Sequence, residues 1–338
     1  MKKLLGILAL LVFVTNQAFA LGVEVQPTMR SRSNEQDRVW VGSFQLVWND
    51  FMNKIVHGPI RFREGTPIMV QELNKQGFSA NQLDDDSYYK VTTKIKKNTK
   101  KQIEKAIRKK FNETSDILSK MDLEPRNDKY IIYAMLKKEF EFEKPFDKLE
   151  KSLFAGEYAS EYFGINKYSD NALRNTVKVL YYNSAEDFAV MLKTNKDEEV
   201  YLYKNSSNKP FLALWSDMFK KELTFKGETF FRDADELKVP NIKFNTEKNY
   251  EELAKKRVMG TNLVIEQAMQ TIKFGMNNKG VELKSEAGLS FATCSLPHPD
   301  DLIPRYFYLD DTFVIFLKEK DKRLPYMALR VNDIRNFQ

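Results

Sequence analysis

Two histidines and one cysteine are all that this 338-residue chain offers for nucleophilic or metal chemistry built on imidazole or thiol. Cys294 and His298 lie four apart in the stretch Cys294-Ser-Leu-Pro-His-Pro299, and a thiol beside an imidazole can make a nucleophile. That stretch is a proline-broken loop without a rigid scaffold to hold a base, so the spacing argues against cysteine catalysis. A single Cys excludes a CxxC zinc site and an internal disulfide framework, and His57 stands far off in sequence. No metal centre, cofactor or catalytic residue is expected. The GxSxG elbow, HExxH, GxGxxG and the Walker phosphate loop are all absent. A glycosidase needs only two carboxylates, but no spacing among the 47 acids picks out a pair.

A second chemistry is electrostatic. The chain carries a formal charge of +7, and residues 90–110 hold ten Lys or Arg against the single acid Glu104. Ile95, Ile103, Ile107 and Phe111 mark a narrow buried side, so a basic helical segment is expected. Lys94, Lys97, Lys101, Lys105 and Arg108 are its candidate polyanion-binding residues, with an anionic polysaccharide as the implied partner. The plainer reading is a solvated helix face. No aromatic residue is interleaved with these charges as stacking on bases requires, so nucleic acid is not an expected partner.

The N-terminus indicates where such a protein would act. Lys2 and Lys3 precede an apolar run from Leu4 to Val14, and Ala18-Phe19-Ala20 has the small-x-small pattern of a signal-peptidase site. Residues 1–20 therefore read as a signal peptide, and the protein as exported, extracellular or periplasmic. The run is well short of the roughly 20 residues that span a bilayer, so no membrane span is expected.

The elements follow from hydrophobic period. Residues 21–38 are polar and aperiodic and read as a flexible lead-in. Trp40, Phe44, Val47, Trp48, Phe51, Met52 and Ile55 form one helical stripe. Tyr130 to Leu136 reads as a strand buried on both faces, and 177–182, 188–192 and 199–204 as further strands, the last half-exposed. A short strand at Ile242 and Phe244, a helix from Tyr250 to Val258, an alternating set at Ile272, Phe274 and Met276, and strands at 313–317 and 326–331 complete the pattern. No linker divides residues 39–338, which read as a single α+β domain with helices early and strands late.

The motifs resemble a known family. The run from Tyr130 through Lys144-Pro145-Phe146-Asp147 resembles the serpin strand and turn in which an apolar strand leads to an aromatic, a Lys-Pro-Phe and an Asp. Asn112 to Leu118 is similar to the serpin helix end that introduces that strand. Val239-Pro240-Asn-Ile-Lys-Phe244 with Tyr250–Gly260 resembles the proline, short strand, helix and glycine unit. Asn278-Lys279-Gly280-Val281-Glu282 sits where the hinge of the reactive loop lies, and Asp310-Asp311-Thr312-Phe313 resembles the strand after the loop, where the family usually has His-Pro-Phe. Order and spacing agree over residues 112–338. The family's Asn-x-x-x-Ser-Pro segment is missing, and the chain looks short of one or two helices.

The resemblance implies an α+β serpin-like fold, three β-sheets surrounded by helices, with an exposed reactive-centre loop over 280–306. It implies a monomeric, non-enzymatic peptidase inhibitor that traps a serine or cysteine protease as a suicide substrate. Gly280, Val281, Glu282 and Leu283 would form the hinge, and Cys294–Ser295 the reactive bond, which suits a protease with a small specificity pocket. Insertion of a strand requires alternate residues to face a core. Val281, Leu283, Ser285, Ala287, Leu289, Phe291 and Thr293 are the apolar set, and the charges Glu282, Lys284 and Glu286 fall on the other parity. A permanent edge strand would show the same alternation. The bulky hinge residues would slow insertion, and the alternative is a non-inhibitory serpin-fold binding or structural protein that uses the segment 90–110.

Overall fold

The computed structural model describes residues 22–126, 129–282 and 303–338. The expected signal peptide and the residues Leu283, Cys294, Ser295 and His298 lie outside the described residues.

In chain order the elements are β1 (Glu24–Gln26), β2 (Arg38–Val41), α1 (Ser43–Asp50) running into a π-helical turn at Phe51–Val56, α2 (Ile68–Leu73), β3 (Tyr88–Lys94) and α3 (Thr99–Phe111). Next come β4 (Tyr130–Leu136), β5 (Glu139–Glu141), β6 (Asp147–Phe154), β7 (Tyr158–Ile165), α4 (Asn171–Arg174), β8 (Val177–Ser184), β9 (Asp187–Lys193) and β10 (Glu198–Lys204). The chain continues through α5 (Phe211–Thr224), β11 (Glu236–Pro240), β12 (Ile242–Asn249), β13 (Met269–Asn277), β14 (Gly280–Glu282), β15 (Tyr306–Tyr308), β16 (Phe313–Glu319) and β17 (Met327–Val331).

The strands form a seven-stranded sheet, β1-β2-β17-β16-β10-β9-β8, two four-stranded sheets, β15-β11-β7-β6 and β12-β13-β14-β5, and the ribbon β3-β4. Within the seven-stranded sheet only β1 and β2 run parallel. Every residue of β16 and β17 is buried, which is why 313–317 reads as an unbroken apolar run and 326–331 as one interrupted only by Arg330. Helix α5 covers one face, with Trp215 edge-on to Phe316 at 5.1 Å. The fold is α+β with helices around three main sheets, as expected.

Several local expectations are corrected. Residues 22–38 are not a loose lead-in, because Val23 and Val25 bury their side chains and β1 pairs with β2. Trp40 belongs to β2, and the helix begins only at Ser43. The basic segment divides, residues 90–94 lying in β3 before α3 starts at Thr99. β10 is almost wholly buried, because Glu199 meets Lys318 at 2.5 Å and β9 and β16 flank it on both sides. Tyr250 to Val258 is a run of turns, with Lys255 in the left-handed region at φ 61°. β4 buries one face only, Ile131 and Tyr133 packing against Ile103 and Ile107 of α3. α5 went unread in the sequence, although Phe211, Leu214, Trp215 and Met218 follow Pro210 at helical spacing.

Candidate functional site

The hinge motif is a strand. Asn277 and Gly280 pair across a two-residue turn, so β14 folds back on β13 with Met276 opposite Val281. Its other edge pairs antiparallel with β5, Val281 opposite Phe140. Val281 is 2% exposed and belongs to the main core, so the expectation of an exposed loop from Gly280 is corrected for the first residues of the hinge. Tyr306–Tyr308, at the other end of that expected loop, is β15, parallel to β11.

Two motifs separated by some 130 positions hold this strand in place. The Asn278 carbonyl accepts from Phe146 N at 2.8 Å, Asn278 Nδ2 donates to the Phe146 carbonyl at 3.1 Å, and Phe142 N donates to the Lys279 carbonyl at 2.8 Å. The Lys144-Pro145-Phe146 turn thus seats β14, and Phe142, Phe146 and Phe163 pack edge-on or tilted against one another with centroids 4.9–5.9 Å apart. Gly280 is required by close approach. A Cβ there would lie 2.3 Å from the Phe140 carbonyl oxygen and 2.6 Å from Glu141 Cα.

Beyond β14 the sheet opens. Among the described residues β13 is paired with β12 from Met269 to Met276 but with β14 only at 275–277, and β4 is paired with β3 alone. A groove of about 400 Å³ runs between these edges, lined by Ile132 and Leu136 of β4, Gln270 and Ile272 of β13, and Phe44 and Trp48 of α1. Phe44 stacks on Tyr250 at 4.0 Å, and Gln270 accepts from Tyr250 Oη at 2.9 Å while donating to Ser43 Oγ at 3.0 Å. α1 is itself tied to β3 through Asp50, which takes Lys90 Nζ at 2.6 Å and Thr92 Oγ1 at 3.0 Å. Burial pushes the Asp50 carboxyl up, but Lys54, Lys90 and Thr92 outweigh it and hold the group below the usual range.

A strap crosses the outer side of the groove. The segment after α3 reaches β12, β13 and the turn before β13 through Lys273–Asp116 at 2.9 Å, Lys120–Glu247, Asp122 N to Gln267 Oε1 at 2.7 Å, and Glu266 with Arg126 and Lys129. Lys129 and Arg126 hold the Glu266 carboxyl below its usual range.

Where β4 gives way to β5, a buried charge cluster was not foreseen from sequence. Lys138 Nζ lies 2.5 Å from Glu198 Oε1 and also bonds Glu319 Oε1. Tyr326 Oη donates to Glu198 Oε2 at 2.9 Å, and Ser87 Oγ and Asp84 N donate to Glu319 at 2.8 and 2.7 Å. Burial pushes the Glu198 carboxyl up to about 7, against the pull of Lys138 and Tyr326. A Lys-Lys-Glu triplet gave no signal for it, because both acids lie in strands distant in sequence.

Lys94, Lys97, Lys101, Lys105 and Arg108 are all exposed, and Lys101, Lys105 and Arg108 succeed one another along one side of α3. His57 is exposed at the end of the π-helical turn. Among the described residues no cluster of three or more His, Cys, Asp or Glu is placed to hold a metal ion, and no helix is long and apolar enough to cross a membrane.

No family model matches the sequence, and no curated protein matches it. The solved structures it is similar to include Serpin48 from the insect Tenebrio molitor (TM-score 0.45, 14% identity, 74% of this chain and 78% of that one). Human glycosylated kallistatin (0.45, 11%, 79% and 86%) and human thyroxine-binding globulin complexed with thyroxine (0.42, 11%, 84% and 94%) are others. All three are serpins. The Lys-Pro-Phe turn, β14 and β16 follow one another in the chain in the order of the motifs on which the sequence resemblance rests.

Proposed function

We propose that this chain is an exported, serpin-like inhibitor that traps a serine or cysteine protease after cleavage near Cys294–Ser295, with Gly280, Val281, Glu282 and Leu283 as the hinge. The observation that carries the reading is β14, a short strand seated between β13 and β5 at the mouth of a groove whose two edges have no strand partner among the described residues. Continuing its register would set Leu283 between Lys138 and Phe274, Ser285 between Leu136 and Ile272, and Ala287 between Ala134 and Gln270. All six neighbours face the main core or are buried, which is the parity that the apolar set of the loop requires.

The test is incubation of the protein with serine and cysteine proteases that prefer small side chains. An SDS-resistant complex is expected, and loop-cleaved protein should melt on the order of 10 °C higher, since two strand edges gain partners at about 1 kcal/mol per hydrogen bond. Cleavage near Cys294 that yields neither complex nor thermal gain would sink trapping.

The strap adds a second test. In the same register Lys284 would arrive between Lys137 and Lys273, and Lys273 also anchors the strap through Asp116. Lys273→Ala removes a like charge and a tie together. It should speed conversion of cleaved protein to the heat-stable form about 2- to 5-fold, as expected of a part-exposed ion pair worth up to about 1 kcal/mol. An unchanged or slower rate argues against the strap as a barrier.

A second reading, a non-inhibitory binding protein for an anionic polysaccharide, is favoured by the exposed row Lys101, Lys105 and Arg108 on α3. It predicts heparin affinity that falls steeply with salt and is lost when the three are changed to Ala.

A further inference from the structure

Arg38 of β2 and Arg330 of β17 are register partners, so their side chains stand side by side on one face of the seven-stranded sheet, 0% and 1% exposed. Like charges directly opposite are destabilising, and a buried cation without a counter-ion is costly. Yet among the described residues their hydrogen bonds go only to backbone carbonyls. Arg38 Nη2 donates to Lys209 O at 3.2 Å, and Arg330 donates from Nη1 to Gln36 O at 2.7 Å and from Nη2 to Ser206 O at 2.9 Å. Arg38 Nε, Arg38 Nη1 and Arg330 Nε are buried without a partner.

Of the surrounding acids, Glu24 is the register partner of Arg38 on β1 and attracts it without forming an ion pair, while Asp37 and Asp311 are engaged by other donors. Asp37 accepts from Asn332 N, Asp333 N and Asn336 Nδ2, and Asp311 from Thr312 N. Among the described residues no carboxylate forms an ion pair with either guanidinium. The Arg38 guanidinium lies over the Phe211 ring, 5.2 Å from its centroid, which offsets part of its charge, and Phe211 opens the fourteen-residue helix α5, whose N-terminus adds positive potential. Burial, and then Arg38, push Arg330 down to about 10.

Orphaned acceptors accompany the donors. Gln26 Oε1 sits on β1, beside β2, and Asn208 Oδ1 on the 205–210 loop whose carbonyls hold both guanidiniums, and both atoms are buried and unpaired. We propose that Arg38 and Arg330, under the 205–210 loop, form a site for a small oxyanion of the hydrogen-phosphate type. Its oxygens would accept from Arg330 Nε and from one of the two free Arg38 nitrogens, which open on different edges of that guanidinium, and its O–H would donate to one of the free acceptors. Sulfate has no such proton at neutral pH. The site is independent of the groove and of the trapping proposal.

The test uses the full protein in Tris-chloride buffer, titrated with inorganic phosphate at constant ionic strength. A saturable one-to-one heat is expected, with a melting temperature that climbs by several degrees as phosphate passes its dissociation constant. Sulfate should need at least about tenfold higher concentration, given one lost hydrogen bond to a charged group. Arg38→Met and Arg330→Met should abolish the phosphate shift and melt no lower than the parent in phosphate-free buffer, because each removes one of two facing cations. If a Met variant fails to fold, Arg38→Lys keeps the charge and should weaken phosphate binding about tenfold. Phosphoserine as a further titrant separates the sources. Weaker binding than phosphate supports a free ion, and equal binding supports a phosphomonoester group. Absence of any saturable phosphate effect, an equal sulfate effect, or an unchanged shift in the folded variants would overturn the site, leaving ordered water as the partner of the free groups.

Discussion

Lys138→Met is expected to cost about 3–5 kcal/mol and to lower the melting temperature by on the order of 10 °C at pH 7.5, measured by calorimetry. The substitution strands Glu198 and Glu319 in a site where they are 8% and 1% exposed. Adding Glu198→Gln should recover much of the loss, because one carboxylate then remains with the donors Ser87 Oγ and Asp84 N. The same cluster fixes a pH dependence. The Glu198 carboxyl, ordinarily near 4.5, is raised to about 7 in the folded chain, so the native state binds the extra proton. The stability it contributes is fully present below about pH 4.5 and is lost as pH rises to 7, a change of about 3 kcal/mol. Asp37, also raised by burial, acts in the same direction. Asp84 and Asp187 are held below their usual range and act oppositely, at lower pH. The melting temperature should therefore decline between pH 5 and 7.5, and Glu198→Gln should flatten that decline. A flat parent profile would refute the assignment to Glu198.

Gly280→Ala should detach the hinge strand from β5. The added methyl meets backbone on two sides, the Phe140 carbonyl oxygen and Glu141 Cα, so no side-chain rotation relieves it. Loss of the β14–β5 pairing and partial exposure of Val281 together cost on the order of 3 kcal/mol. Amide exchange at Phe140 and Val281 should rise by at least 100-fold, and trapping, if present, should weaken. Gly58→Ala, where a Cβ meets nothing within 4 Å, is the control and should change little. Unaltered exchange in Gly280→Ala would mean that β5 can shift to admit the methyl, and that the contact is not what seats the hinge.

Legibility tracked the physics of each element. The strands of the central sheet were readable because burial on both faces leaves runs such as Phe313-Val-Ile-Phe-Leu. Gln26, Arg38, Glu198 and Glu319 are buried polar residues inside strands, and their partners are fixed only by tertiary pairing, so their local sequence looks like surface. The Tyr250 to Val258 pattern had a helical stripe, yet Lys255 at φ 61° breaks it into turns. At the site, the burial of Val281 was legible, and the alternation that continues from it lies outside the described residues. The seating of β14 was not legible, because whether a strand has an edge to join depends on β5, 140 positions earlier, and on the Lys-Pro-Phe turn that holds it.

The two-residue turn from Asn277 to Gly280, pinned to Phe142 and Phe146, bears on how a chain could enter the groove at all. An extended segment searching for two sheet edges must first surrender the freedom of both its ends, a cost that is logarithmic in length and falls on the first pair formed. In the trapping proposed above, that first pair would exist before any peptide bond is cut. An incoming strand would therefore zip from a fixed nucleus, residue by residue and in a single register, so that speed is governed by what each arriving side chain meets and not by the chance of finding the sheet.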